Sequence, residues 1–562
     1  EKLTITILET TDIHGVIFPY DFIEKKEIDV SLANAYTYIK KVRKNSNNVL
    51  LLDNGDNLQG QPNVYFYNFI DTISPHLNAE VMNFMGYDAG TVGNHDIEAG
   101  HSVYDRLVKD YRFPLLAANA VNSTTGKPYF KPYEIFKLNG IKIAVMGLIT
   151  PAVPDWLPPE LYSGIEFRDM VETAKLWMPV ILNENPDIVV GLFHSGWDNR
   201  ENEKNNDSDY DENGSASVAM EVPGFDIIMT GHDHKVVNEK IVNQAGDTVL
   251  ILDGGSRAEK IARADIIFYP GKGSGKKHKT LRGKIVDVGS YAADPEFIKK
   301  FQSQKNVVLD YVNKVIATSE TTISSRDSYF GSSAFIDMIH SIQLEVTHAD
   351  ISFTAPLSFD VSIPSGPVTV GDMFKLYRFE NMLYTMSMTG SEIKKYLEFS
   401  YSGWLNTMTG PNDNLLKFRL DKNGRPVLNN GFAWLKNQPY NFDSAAGIDY
   451  LVDASKPDGE KVSIKSFSTG LPFDMNKTYK VAVNSYRGNG GGGHFYDGAG
   501  FSKKELQKRL LSSTDRDLRY YILKYFEEKK TIKPLAFQNW KIIPDDWVKK
   551  AGKRDYRLLF GK

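Results

Sequence analysis

Along the first half of the chain, short apolar runs give way at once to polar clusters. LTITILE (3–9) leads into TDIHG, VLLL (49–52) into DNGDN, VVGLF (189–193) into HSGWD and FDIIM (225–229) into TGHDH. Brief apolar runs bounded in this way predict buried strands of an α/β or sandwich domain. Between the first two, Leu32, Ala35, Tyr36, Ile39 and Val42 recur at helical spacing, which predicts an amphipathic helix joining strand to strand. Open α/β sheets gather their ligands at the carboxyl ends of strands. All four polar clusters fall there, so they are expected to share one site.

Near Asp294-Pro295 the rhythm changes. Phe297, Phe301, Val308, Tyr311, Val312 and Val315 form an apolar stripe running to Ile316, which predicts a helix. A chain of 562 residues exceeds what one core organises. The expected division is residues 1–293, a linker helix over 294–316, and a second α/β region over 317–562. In that region Thr389-Gly-Ser-Glu392 has capping-box spacing, and Ile393, Tyr396 and Leu397 follow on one face of the helix it starts.

Composition narrows the function classes. Apolar residues at 41% and charged residues at 24% describe an ordinary globular chain. A net charge of −4 offers no broad basic footprint for polymeric nucleic acid. The basic runs at 272–284 and 549–557 are short and interrupted, and read as a solvated hairpin and a solvated tail. Without cysteine, disulfides, thiolate catalysis and Cys-based zinc sites are excluded. No apolar run reaches the ~18 residues of a membrane span. The chain opens on the alternating strand Leu3-Thr-Ile5-Thr-Ile7 with no signal-peptide pattern, which fits an intracellular protein or a mature exported one.

Five of the eleven histidines, His14, His95, His194, His232 and His234, sit in the strand-end clusters beside Asp12, Asp56 and Asn94. Imidazole and oxygen donors without sulfur suit Mn²⁺, Zn²⁺, Fe²⁺ or Co²⁺. Two such ions about 3.5–4 Å apart need a shared ligand, which the two oxygens of a carboxylate can provide. A lone DxH is ordinarily a turn. The ordered series DxH, GDN, GNHD, a single strand-end His and GHDH, however, resembles the calcineurin-like metallophosphoesterase family from Leu3 to His234. That resemblance implies a four-layer β-sandwich flanked by helices. It also implies that Asp12, His14 and His234 hold one metal, that Asn94, His194 and His232 hold the second, and that Asp56 bridges them. His95 would stabilise the phosphoryl transition state or protonate the leaving oxygen, oriented by Glu98, where some relatives carry aspartate. The implied chemistry is in-line attack on phosphorus by a hydroxide held on the metals, without a phosphoenzyme.

In the second half, RFENMLYTMSMTGSEIKKYLE (378–398), PYNFDSAAGIDYLVD (439–453) and KTYKVAVNSYRGNGGGGHF (477–495) resemble the 5′-nucleotidase C-terminal domain, which binds the base. Family members sandwich the base between two aromatic rings, and the matching positions are Tyr440 and Tyr486. Each stack contributes about 1–3 kcal/mol with any base. Asp443 and Asn381 are the further implied contacts to substrate. HADISFTAPLSFD (348–360) lacks the arginine-containing loop of 5′-nucleotidases. It is similar instead to the 2′,3′-cyclic-nucleotide 2′-phosphodiesterase/3′-nucleotidase branch. A 5′-nucleotidase or UDP-sugar hydrolase is the alternative, and a non-catalytic nucleotide-binding protein is the different class. The resemblance also implies a small nucleotide as partner, a monomer, and export to the periplasm or beyond. Gly488 to Gly493 satisfies GxGxxG with no apolar helix after it, and GKGSGKK (271–277) lacks P-loop spacing, so both are read as loops. The acidic stretch 201–212 is read as a solvated excursion that can border the cleft.

Overall fold

The computed structural model describes residues 2–197, 210–269 and 278–561. The run 271–277 lies outside them, as does 201–209 of the acidic stretch. The chain forms two compact units, Glu1–Val312 and Asn313–Lys562.

The first unit is built on two six-stranded sheets. In one, Leu3–Thr10, Val49–Asp53, Ala89–Thr91 and Leu115–Leu116 run parallel. In the other, Ile141–Ile149, Ile188–His194, Ile227–Thr230 and Thr248–Gly254 do the same. Side chains alternate along a strand, so each strand can serve two layers. Ile5, Ile7, Leu50 and Leu52 meet Val190, Leu192, Ile227 and Met229 between the sheets. Leu8 and Leu51 turn outward onto Ala35, Ile39 and Val42 of the helix Leu32–Asn45. On the far side, Val189, Phe193 and Ile228 pack against Met170, Ala174 and Met178 of the helix Met170–Asn183. The result is helix, sheet, sheet, helix, the four-layer sandwich the sequence led us to expect. Each Leu or Ile buried in this way contributes about 1.5–3 kcal/mol.

The stripe after Asp294 forms the helix Pro295–Asn313. Phe297, Phe301, Val308 and Val312 are buried in the same cluster as Phe18, Leu51 and Ile39. The helix is therefore an integral part of the first unit.

The second unit carries a five-stranded sheet ordered Ser444–Ala446, Ile351–Thr354, Thr478–Asn484, Met382–Thr389 and Leu510–Asp517. Thr389 caps the helix Gly390–Trp404 reciprocally: its N–H donates to Glu392 Oε2 at 2.7 Å, and its Oγ1 accepts from Glu392 N at 3.3 Å. Ile393, Tyr396 and Leu397 are fully buried on the sheet side.

Candidate metal centre

Parallel strands end at a common edge, and the loops leaving those edges carry the polar clusters. Asp12 and His14 follow Leu3–Thr10, Asp56 follows Val49–Asp53, Asn94 follows Ala89–Thr91, His194 closes its own strand, and His232 and His234 follow Ile227–Thr230. Asn54 ties the two edges together. Its Nδ2 donates to Glu9 Oε1 at 3.0 Å in its own sheet and to the carbonyls of Phe193 and Met229 in the other at 3.0 and 3.3 Å.

Two sets of donors result. Asp12, His14 and His234 each place a ligand atom within 4.8 Å of the others, as do Asp56, His194 and His232. His14 Nε2 and His234 Nε2 are 3.0 Å apart, with Asp12 Oδ1 3.4 Å from His234 Nε2. Asn94 Oδ1 lies 3.1 Å from His194 Nε2 and 2.9 Å from His232 Nδ1, and Asp56 Oδ2 is 3.2 Å from His194 Nε2. Asp12 joins the sets, its Oδ2 accepting from the His232 main chain at 3.0 Å. The loops are strained into place: Asp12, His14, Asp56, His232 and His234 all have φ between 49° and 76°. Such a backbone costs a non-glycine residue about 1–3 kcal/mol. Cross-loop bonds hold it, from Asp12 N to Gly55 O and from His14 N to Asp56 O, both 3.0 Å.

The tautomers are set from behind. A carbonyl only accepts, so His14 Nδ1 and His194 Nδ1 must carry the protons donated to Gln59 O at 3.1 Å and Asn54 O at 2.6 Å. Their Nε2 lone pairs then point at the centre, the usual arrangement behind a ligating histidine. In the His194 set, lone pairs of two imidazoles, an amide oxygen and a carboxylate converge on one point. Acceptors facing acceptors repel unless a cation lies between them, so this donor set fits a divalent metal of the N/O-loving kind. Without one, a proton on His194 must serve: burial opposes it, but the carboxylate of Asp56 lifts the imidazole to about 10. Burial likewise opposes the Asp56 charge, but the imidazoles of His194, His95 and His14 hold that carboxyl well below its ordinary value.

His95 stands beside this cluster, its ring 5.5 Å from that of His14 and its Nδ1 2.5 Å from Glu98 Oε2. Its main-chain N–H donates to Asp56 Oδ1 at 2.8 Å. Sequence reasoning assigned no role to Asp96, the last residue of GNHD. Its buried carboxylate accepts from Gly93 N and Asp56 N on Oδ2, at 2.8 and 2.9 Å, and from Asn57 N and Leu58 N on Oδ1, at 2.9 and 3.1 Å. It thereby fixes the loop that carries Asp56. Its place at the third position of a short helix starting after Gly93 was the available signal. Asn54, Gln59 and Trp156 were missed as well. Trp156 stacks on the His232 ring at 5.4 Å and 28°.

In the second unit, Tyr440 and Tyr486 do come together, with centroids 6.4 Å apart, but their planes meet at 89°. The parallel jaws expected around a base are thus not formed by the rings as they stand. Asp443 points inward. Its Oδ1 accepts from Arg487 Nη2 at 3.1 Å, and its Oδ2 accepts from Arg487 Nε at 3.0 Å and from the Tyr396 hydroxyl. Asp443 is in this way the counter-charge that a buried guanidinium needs. Arg487 also donates to Tyr440 O at 2.9 Å and Gly491 O at 2.5 Å, clasping the two tyrosine-bearing loops together. Asn381 is buried at the start of Met382–Thr389, its Nδ2 3.3 Å from the Tyr377 hydroxyl. GNGGGG forms no dinucleotide turn: a short helix, Ser485–Gly488, precedes it and irregular helical turns follow.

Comparison with known proteins accounts for both units. The calcineurin-like phosphoesterase family matches residues 5–236, and the 5′-nucleotidase C-terminal domain family matches residues 315–498. The chain joins a calcineurin-like phosphoesterase domain to a 5′-nucleotidase C-terminal domain. A Bacillus subtilis protein named trifunctional nucleotide phosphoesterase is 27% identical to this phosphoesterase over 97% of the chain, which spans only 39% of that relative's length. A Haemophilus influenzae protein named 2′,3′-cyclic-nucleotide 2′-phosphodiesterase/3′-nucleotidase is 25% identical over 96% of the chain and 87% of its own length. A Staphylococcus aureus structure solved with α-ketoglutarate shares the fold of this phosphoesterase, with a TM-score of 0.77 at 20% identity over 96% of this chain and all of that one. Among the described residues, no helix is long and apolar enough to cross a membrane.

Proposed function

We propose that this phosphoesterase hydrolyses nucleotides using two divalent cations, one on Asp12, His14 and His234 and the other on Asn94, His194 and His232, with Asp56 shared. The observation that carries the reading is the convergence of lone pairs from five separate strand ends, with the His14 and His194 rings turned inward by main-chain carbonyls behind them. Cations bound there would neutralise charge on the phosphoryl oxygens and lower the pKa of a bound water. The chain's own part is to place and to donate. Glu98 accepts from His95 Nδ1, so the imidazolium form of His95 has its Nε2 proton to give to a phosphoryl or leaving oxygen. Tyr440 and Tyr486 supply the ring faces for a base, one of them turning to make the second wall of a sandwich. Arg487 and Asp443 keep the two loops in register.

For substrate we favour 2′,3′-cyclic and 3′-nucleotides, on the arginine-free segment 348–360 and the likeness to the Haemophilus protein. A 5′-nucleotidase or UDP-sugar hydrolase is the second reading, favoured by the C-terminal family match. A monomer exported for nucleotide scavenging is part of the proposal. The test is a panel of 2′,3′-cyclic AMP, 3′-AMP, 5′-AMP and a UDP-sugar, offered to metal-stripped protein resupplied with Mn²⁺, Zn²⁺ or Co²⁺. A preference for 5′-AMP overturns the substrate assignment. No hydrolysis product from any of the four with any metal, whether nucleoside monophosphate, nucleoside or phosphate, overturns hydrolysis itself.

A further inference from the structure

We propose that Glu212 is a positioning residue for the second cation, acting through His232; the inference rests on the two-metal reading above. Glu212 Oε1 lies 2.9 Å from His232 Nε2, on the side of the ring opposite Nδ1, which faces Asn94 Oδ1 at 2.9 Å. A carboxylate at Nε2 requires a proton on that nitrogen, so the lone pair is on Nδ1 and points at the donors of His194 and Asp56. The three inward-turned rings therefore differ in how they are set. His14 and His194 lean on main-chain carbonyls fixed within the loops, whereas His232 leans on a charged side chain.

The stretch bearing Glu212 is itself anchored to the other imidazole of that site. Ser195, next to His194, donates from Oγ to Glu212 O at 2.8 Å, and Ser215 Oγ donates to Ser195 O at 2.9 Å. Two ligands of one cation, thirty-eight positions apart in the chain, are in this way tied through a single carboxylate and a pair of serines. Trp156, stacked on the His232 ring, limits its tilt. With the Glu212 side chain 44% exposed, its hydrogen bond to His232 adds little to folding stability. Its effect belongs in metal affinity, where partners behind a ligand are worth about 10–100-fold.

The experiment is a titration of the metal-stripped full chain with Co²⁺, followed by its visible absorbance, for wild type, Glu212→Ala and Glu212→Gln, with melting temperatures of the metal-free proteins alongside. Wild type should take up two equivalents. Glu212→Ala should keep one of them at wild-type affinity, bind the other about 10–100-fold more weakly, and melt with wild type. Glu212→Gln retains an oxygen acceptor and should fall between the two. Two equivalents bound by Glu212→Ala as tightly as by wild type would overturn the proposal, as would equal weakening of both. A Gln variant no better than Ala would overturn the hydrogen bond as the cause. Uptake of fewer than two equivalents by wild type would instead defeat the two-metal reading itself.

Discussion

Gly93→Ala isolates the Asp56 position with one methyl group. Gly93 has φ −96° and ψ 169°, extended backbone that alanine adopts freely, so no main-chain strain is introduced. Taken alone, the exchange would favour folding by about 0.4–1 kcal/mol through the unfolded chain. The added Cβ, however, falls on Asp56 Oδ1 and lies 2.5 Å from Asp56 N and 2.8 Å from its Cγ. Non-bonded carbons settle about 3.5–4.0 Å apart, so the carboxylate has to withdraw by roughly 1 Å. It cannot do so cheaply, because Asp56 N is held by Asp96 and Oδ1 by the His95 main chain. Overpacking of this kind costs about 1–3 kcal/mol. The net loss of about 1–2 kcal/mol should lower the melting point by a few degrees only. A 1 Å displacement at a reacting centre costs about 10²-fold in rate, and a lost cation costs more. Phosphate release from 2′,3′-cyclic AMP, read beside metal content and the melt, should therefore fall at least about 100-fold in a folded protein. Wild-type turnover with two metal equivalents would show that Asp56 is not the shared ligand.

His95→Asn should keep both metals while turnover falls by about 10²–10⁴-fold; Asp56→Asn should lose metal and activity together, and metal analysis beside kcat separates the two. Tyr486→Ala should raise KM for nucleotides by about 10–100-fold and leave hydrolysis of a base-free aryl phosphate unchanged; equal losses on both would refute a base contact. Acid should weaken the fold through His76 and His340, each pushed by burial down to about 3. Below the unfolded value near 6.5 the unfolded chain takes up protons that these folded rings refuse, so the stability present above pH 6.5 is lost as pH falls towards 3. Each costs about 2 kcal/mol by pH 5. His340 sits between Ser352 and Ser444 hydroxyls, and His340→Gln should lose about 2 kcal/mol less between pH 7 and pH 5 in urea titrations; an unchanged slope would refute this.

What the sequence made legible was local. The alternation in LTITILE placed its strand, the stripe from Leu32 to Val42 its helix, and Thr389 with Glu392 its cap, because each is a property of neighbours along the chain. The polar clusters were legible for the same reason, as the ends of those strands. Asp96 and Asn54 were not, since their worth lies in bonds to residues 39 or 139 positions away that only the folded loops bring near. The pairing of Asp443 with Arg487 was out of reach as well, since a carboxylate reads the same in sequence whether it faces a ligand or a buried arginine. The angle between Tyr440 and Tyr486 is a matter of side-chain torsion, to which residue identity is silent.

The proposed ligands come from both sheets, so the gap they straddle is gauged by the thickness of the greasy slab beneath them. Ile7, Leu52, Leu192 and Met229 are that slab. Thinning it anywhere along these strands would draw the Asp12 and Asp56 loops towards His194 and His232, with Asn54 as the pin around which they swing. The hydrocarbon interior thus acts as the calliper of the reaction, and its methyl groups are as much part of the enzyme's chemistry as its imidazoles.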